Sequence, residues 1–123
     1  MARPVAADAA QTRARILQQA SLLFAAAGEG SVSVRKVAEE SGVSLATVHH
    51  YFGTKAKLYE SCVLSMQNEL EELRAELVPT VADASEPSVA LDNAVRRAFR
   101  FAVARQGAVR LLMRTVIDTG KQI

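Results

Sequence analysis

Residues 42–55 read GVSLATVHHYFGTK, which sets two adjacent histidines, a tyrosine and a lysine just after a Gly-Val-Ser turn. Imidazole both donates and accepts hydrogen bonds, while a phenol and an ammonium donate to anionic oxygens. If Val48 and Phe52, four apart, share the buried side of a short helix, then Leu45, Ala46, His49 and His50 lie about 100° or more away on the wheel and face outward. Small Ala46 permits close approach to a partner. The imidazoles suit base edges or phosphates, and Tyr51 and Lys55 stand where a clamp on a nucleic-acid backbone is needed. Lys55 also opens the next helix, whose free amides attract phosphate.

Each residue also has a plainer reading. Any single histidine is more often a solvated surface residue, and Tyr51 alone could pack at a helix end. As a metal site, His49 and His50 are poor, because neighbours on a helix diverge by about 100° and no third ligand lies nearby in sequence. The joint pattern, rather than any one residue, favours DNA.

The elements that must position this segment read as helices throughout. Alanine, leucine, arginine and glutamate dominate, apolar residues recur at three and four, and β-branched alternation is absent, so the fold class is all-α. A first helix is expected from near Asp8, with Gln11 completing a capping box. Its apolar face would run through Ile16, Leu17, Ala20, Leu23, Phe24 and Ala27, and Gly28 and Gly30 would stop it. Ser33 can cap a short helix burying Val34, Val37 and Ala38. Gly42 supplies a turn, and Ser44 caps a second short helix. This is the helix-turn-helix layout, whose second helix suits the major groove.

A long helix should follow over about residues 55–78, with Leu58, Cys62, Met66, Leu70, Leu73 and Leu77 near one stripe and Pro79 at its end. TVADASEPS reads as a loop. A helix from Pro87 is expected to bury Leu91, Val95, Ala98, Phe99 and Ala102 and to show Arg96, Arg97 and Arg100 to solvent. Gln106-Gly107 should interrupt before a last helix.

The chain has 123 residues, enough for one domain with a modest core or for a small module and part of a second. Its formal net charge of +2 lies within residues 1–60, where seven basic side chains face five acidic ones; the remainder is neutral. The excess around the opening motif points to an anionic partner. No apolar run approaches the roughly 18 residues of a membrane span. The start, MARPVAADAAQ, lacks the apolar stretch of a secretion signal, and the single cysteine agrees with a reducing compartment, so a cytoplasmic protein is expected. Neither a nucleophile elbow, a phosphate loop nor a zinc-protease motif is present, so no enzyme and no cofactor are expected.

The stretch VRKVAEESGVSLATVHHYFGTKAKLYESC resembles the DNA-binding signature of TetR-type transcriptional regulators, and TRARILQQASLLFAAAG resembles their first helix. The resemblance is specific over residues 12–63 and looser beyond. It implies a three-helix DNA-binding domain with an amino-terminal arm at 1–54, and the beginning of a helical effector and dimerisation domain at 55–123. It also implies that Arg35, Leu45, Ala46, His49 and His50 face bases or sugars, and that Thr47, Tyr51 and Lys55 hold phosphates. Ser33 and Ser44 would be caps that also touch the backbone. Arg3, on the arm, is a candidate for the minor groove. The first tyrosine of the family's Tyr-x-Tyr-Phe group is His49 here, from which pH-sensitive binding is expected.

The implied partners are double-stranded operator DNA, a small-molecule effector and, in a full-length protein, a second copy of the chain. Cys62, Met66, Phe99, Phe101, Leu112 and Met113 are candidates for the effector cavity, although apolar residues at such spacing more often form plain core. Family members usually continue with further helices that complete the pocket and the two-subunit interface. The chain is therefore either a fragment or one whose partner supplies them. The implied function is that of a repressor released by its effector. The alternative is a helical module that binds protein through an exposed stripe.

Overall fold

The computed structural model describes residues 5–121. The described residues form α1 (Val5–Ala27), a 3-10 turn (Glu29–Ser31), α2 (Val34–Ser41), α3 (Leu45–Phe52), α4 (Lys55–Ala82), α5 (Pro87–Ala104) and α6 (Gln106–Lys121), with no strand among them. The fold is all-α. Arg3 lies outside the described residues.

Helix α1 is helical already at Val5, ahead of the expected start at Asp8. The alanine-rich lead-in propagates a helix well, and an acidic side chain in the first turn meets the positive end of the helix dipole. Ile16, Ala20 and Phe24 of α1 are fully buried, whereas Ala27, expected on the same face, is exposed. The core joins these residues to Val37 and Ala38 of α2, Val48 and Phe52 of α3, Leu58, Cys62 and Met66 of α4, and Leu111 of α6. Phe24 meets the Tyr59 ring edge-on, with centroids 5.1 Å apart. At roughly 1.5–3 kcal/mol per fully buried large apolar side chain, this cluster is the main force that orients the short helices.

Helix α2 ends in a Schellman motif. Gly42 is left-handed (φ +69°); its N–H donates to Glu39 C=O at 3.1 Å, and Val43 N–H donates to Ala38 C=O at 3.0 Å. Glycine takes this conformation without the steric cost of a Cβ, so the turn between α2 and α3 is fixed by one residue.

Several expectations along the carboxyl half are corrected. Pro79 lies inside α4, which continues to Ala82, so the loop is shorter than TVADASEPS. A proline this close to a helix end removes only one backbone bond, and Thr80 Oγ1 donates to Glu76 C=O at 2.9 Å in the same turn. The break before α6 falls at Arg105, and Gly107 is a buried helical residue.

Helix α5 is rotated relative to expectation: Leu91, Val95 and Phe99 face solvent, with Phe99 69 % exposed, and Ala90 is buried instead. Arg97 lies on the side turned toward α4, where its Nε and Nη2 donate to Glu76 at 3.0 and 3.2 Å. Arg96, by contrast, pairs within its own helix with Asp92 at 2.8 Å.

Candidate nucleic-acid interface

Helices α2 and α3 are eight residues each, too short to persist in isolation, and are held by caps and by the core. Ser33 Oγ accepts from Lys36 N–H at 3.1 Å, and Ser44 Oγ accepts from Thr47 N–H at 3.1 Å. The hydroxyls of Ser44 and Thr47 are 2.8 Å apart and share a hydrogen. Both serines therefore act as caps, and Thr47 is tied into the second cap. Each of the three exposes oxygen at the entry of its helix only in part, because one lone pair or hydrogen is already engaged.

Val48 and Phe52 anchor α3 in the core, and the opposite side is open: Ala46, His49 and His50 are exposed, and Leu45, Thr47 and Tyr51 are half-buried. Ala46, His49 and His50 are thus the exposed residues of α3, whereas Leu45, three residues before Val48 and seven before Phe52, lies toward the anchored side, contrary to the expected outward facing. His50 and Tyr51 rings touch edge-on at 5.2 Å, which links a candidate base reader to a candidate phosphate holder. Arg35 is exposed on α2.

His49 carries a constraint that sequence did not reveal. Its Nδ1 lies 2.6 Å from Gly53 C=O. A carbonyl only accepts, so Nδ1 bears the hydrogen and Nε2 is the nitrogen left for a partner. Neutral His49 can then only accept through Nε2; the imidazolium donates. A phosphate oxygen requires a donor, so His49 can bond phosphate only when protonated.

Lys55 also differs from a simple clamp. It is half-buried, and its ammonium donates to Val32 C=O at 3.0 Å, tying the start of α4 to the segment before α2. An ammonium has two further hydrogens, so the bond leaves capacity for an anion while giving Lys55 a structural share. The cap of α4 is Thr54, whose Oγ1 accepts from Lys57 N–H at 3.2 Å. Thr54 was missed in the sequence, although a threonine just before a helix start is the signal for it.

Two arginines of α1 support the motif from behind. Arg15 Nε donates to Ser41 C=O at the end of α2 at 2.9 Å, and the Arg13 guanidinium lies 4.9 Å from the Phe52 ring centroid. Neither role has a sequence signature, because each depends on how α1 crosses the two short helices.

The six candidates for an effector cavity do not converge. Cys62 and Met66 are buried and line a cleft of about 290 Å³ between α1, α4 and α6, whereas Phe99 and Met113 are 69 % and 60 % exposed and line no part of it. Phe101 and Leu112 are half-buried and likewise absent from its walls. The expectation fails for Phe99 because of the rotation of α5, and for Met113 because Leu111 takes the inward position of α6. Burial pushes the Cys62 thiol up to about 11, partly offset by a hydrogen bond with Ser21, so the cleft presents a neutral thiol. Among the described residues, no group of three histidine, cysteine or acidic side chains is placed to hold a metal, and no helix is long and apolar enough to cross a membrane.

Comparison with known proteins bears on the same segment. The family model for bacterial regulatory proteins of the tetR family matches residues 16–62, which begins in α1 and ends in α4. Among curated proteins, the HTH-type transcriptional regulator SrpR of Pseudomonas putida is 34 % identical over 71 residues, covering 58 % of this chain and 33 % of SrpR. TtgW, also of Pseudomonas putida and described as an uncharacterized HTH-type transcriptional regulator, is 34 % identical over 71 residues, covering 58 % of this chain and 53 % of TtgW. The HTH-type transcriptional regulator BetI of Agrobacterium fabrum is 36 % identical over 73 residues, covering 59 % of this chain and 34 % of BetI. The chain thus spans a third to about half of the length of these relatives.

Proposed function

We propose, for a chain that belongs through residues 16–62 to the tetR family of bacterial regulatory proteins, that it binds double-stranded operator DNA by laying α3 in the major groove. In this reading it is a transcriptional regulator that represses until a small-molecule effector releases it. It is not an enzyme, needs no cofactor and works in the cytoplasm. The observation that carries the proposal is the two-faced α3: Val48 and Phe52 lock one side into the core, and Ala46, His49 and His50 leave the other open. The capped, glycine-turned α2 holds it at a fixed angle.

Arg35, Ala46, His49 and His50 then face bases or sugars. Ser33, Ser44, Thr47, Tyr51 and Lys55 hold phosphates, with Lys55 doing so beside its bond to Val32. We assign the effector to the cleft walled by Cys62 and Met66 of α4, whose other walls are α1 and the start of α6. Residues 1–54 serve DNA binding and residues 55–123 begin the effector and dimerisation part, sharing one core across the boundary. Support for a helical partner comes from the exposed apolar side chains of α5 and α6, among them Leu91, Val95, Phe99, Val116 and Ile117. An apolar face of this kind marks a surface that is covered in the working assembly, and a second copy of the full-length chain is the occupant we propose.

Band shifts with random-sequence and genomic duplexes test the reading. Retarded complexes that resist competition by unrelated DNA are expected. The same exposed face favours one other reading, a helical module that acts by binding protein, and the absence of any shift with a folded, dimeric protein would give that reading precedence.

A further inference from the structure

The cleft between α1, α4 and the start of α6 has walls of two kinds. Its volume of about 290 Å³ lies at the lower end of the range for small-molecule sites. On the deep side lie Cys62 and Met66, both buried, with Leu17 and Ala108 half-buried beside them. The Cys62 thiol is kept neutral by burial and already donates to Leu17 C=O at 3.9 Å, so it offers an occupant apolar sulfur surface. Met66 adapts its shape to what lies against it. One corner is closed, because Leu22 rests on Gly107 so tightly that a Cβ there would lie 2.6 Å from Leu22 Cδ2.

The outer side is polar. Gln18 of α1, Ser65 and Glu69 of α4, and Arg105 between α5 and α6 stand there. Ser65 and Glu69, about one helical turn apart, share a face of α4. Arg105 Nη2 approaches Glu69 Oε1 only to 3.6 Å, which is too far for a hydrogen bond. Every other ion pair among the described residues closes to 3.0 Å or less. The neighbouring groove holds the contrast: Arg97 of α5 also reaches a glutamate of α4, and it bonds Glu76 through two nitrogens. Glu69 and Arg105 are thus a facing anion and cation with hydrogen-bonding capacity to spare.

A charged pair over an apolar floor selects an occupant with the same two parts. We propose that the cleft binds a zwitterionic small molecule with an apolar tail, an α-amino acid with an aliphatic or thioether side chain being the simplest member of the class. Its ammonium donates to Glu69, its carboxylate accepts from the Arg105 fork, and its tail lies on Cys62 and Met66. The four charges then alternate in sign around a ring, so that each has two opposite neighbours. A ligand with one charge satisfies one side of the pair and leaves the other as it is. The proposal rests on the reading of this cleft as an effector site, and it concerns only what the cleft holds.

Calorimetric titration of the full chain without DNA tests it. The probe is L-norleucine; hexanoate lacks its amine, pentylamine its carboxylate and glycine its tail. Norleucine is expected to bind at least about tenfold more tightly than any of the three. Glu69→Gln should weaken norleucine about tenfold without weakening hexanoate, and Arg105→Met should weaken norleucine about tenfold without weakening pentylamine. Both side chains reach solvent, and melting temperatures establish that the variants fold; Arg105→Gln carries the same comparison if Arg105→Met does not. The Met66 methyl resonance should move as norleucine is added, which places the ligand in this cleft.

Similar affinity for norleucine and either single-charge control, equal losses of every probe in both variants, an unmoved Met66 methyl, or no binding of norleucine would each overturn the proposal. DNA binding is a separate outcome. A protein that binds a selected duplex but no norleucine overturns this inference alone, whereas one that binds norleucine as described but no duplex overturns the DNA-binding reading alone.

Discussion

At the scale of single residues, the proposed interface assigns some groups to the DNA backbone and others to bases. Lys55 is proposed for the first kind. Lys55→Ala is expected to weaken binding to all duplexes about equally and to lower the slope of log affinity against log salt by roughly 1 per subunit. Because its ammonium also bonds the Val32 carbonyl, the same change should lower the melting temperature, so affinity must be compared on folded protein. His50→Ala should instead cost about 1–3 kcal/mol on the preferred operator and relax preference at one or two base pairs, as read by binding to a panel of singly substituted sites.

His49 meets the Gly53 carbonyl through Nδ1 and so keeps Nε2 for a base or sugar. His49→Ala is expected to weaken binding to the preferred operator while leaving the slope of log affinity against log salt unchanged, as anisotropy over a salt series would show. Cys62 behaves oppositely to a reactive cysteine. With its thiol raised from 9.0 to about 11 by burial, the folded state retains the proton longer than the unfolded chain. The resulting stability is intact below pH 9 and declines as pH rises toward 11. Alkylation by iodoacetamide at pH 8 should be slow until denaturant is added.

At the scale of elements, the turn between α2 and α3 depends on one backbone conformation. Gly42→Ala places a Cβ in the left-handed region although the surrounding space is open, so the cost is conformational and should be about 1–2 kcal/mol in urea melts. DNA affinity at saturating stability should change little, because the turn's geometry is retained. The same elements show which features could be read in advance. The caps at Ser33 and Ser44, the Gly42 turn and the Val48–Phe52 anchor are local, and local chemistry is written in local sequence. The exposure of Ala46, His49 and His50 followed from that anchor, whereas Leu45, at same-face spacing to Val48 and Phe52, is half-buried.

The facing of α5 was not legible, because Leu91, Val95 and Phe99 form as good an apolar stripe as the alanines beside them, and spacing alone does not say which stripe meets α4. Pro79 misled for a related reason: proline usually ends a helix, but near a terminus the lost bond is a single one. The bonds from His49 to Gly53, from Lys55 to Val32 and from Arg114 to α1 join residues whose meeting depends on the path of the chain, so spacing alone could not show them.

At the scale of the whole molecule, α5 and α6 leave apolar side chains uncovered, and the proposed reading of DNA calls for two copies. Two recognition helices must sit about one DNA turn, roughly 34–36 Å, apart to enter successive major grooves. Residues 1–123 alone are expected to be monomeric or weakly associated at micromolar concentration and to bind operators poorly, as light scattering and anisotropy would show. A stable dimer would place the subunit interface on α5 and α6.

Whether α3 reads DNA sequence is decided by selecting duplexes from a random pool with dimeric protein and comparing affinity for the winner and for a scrambled duplex of equal composition. A two-fold symmetric winner bound at least about 10³ times more tightly at physiological salt is expected, with the preference reduced by changes at His50. Equal affinity for both duplexes, or a preference untouched by every exposed residue of α3, would contradict sequence reading by this helix.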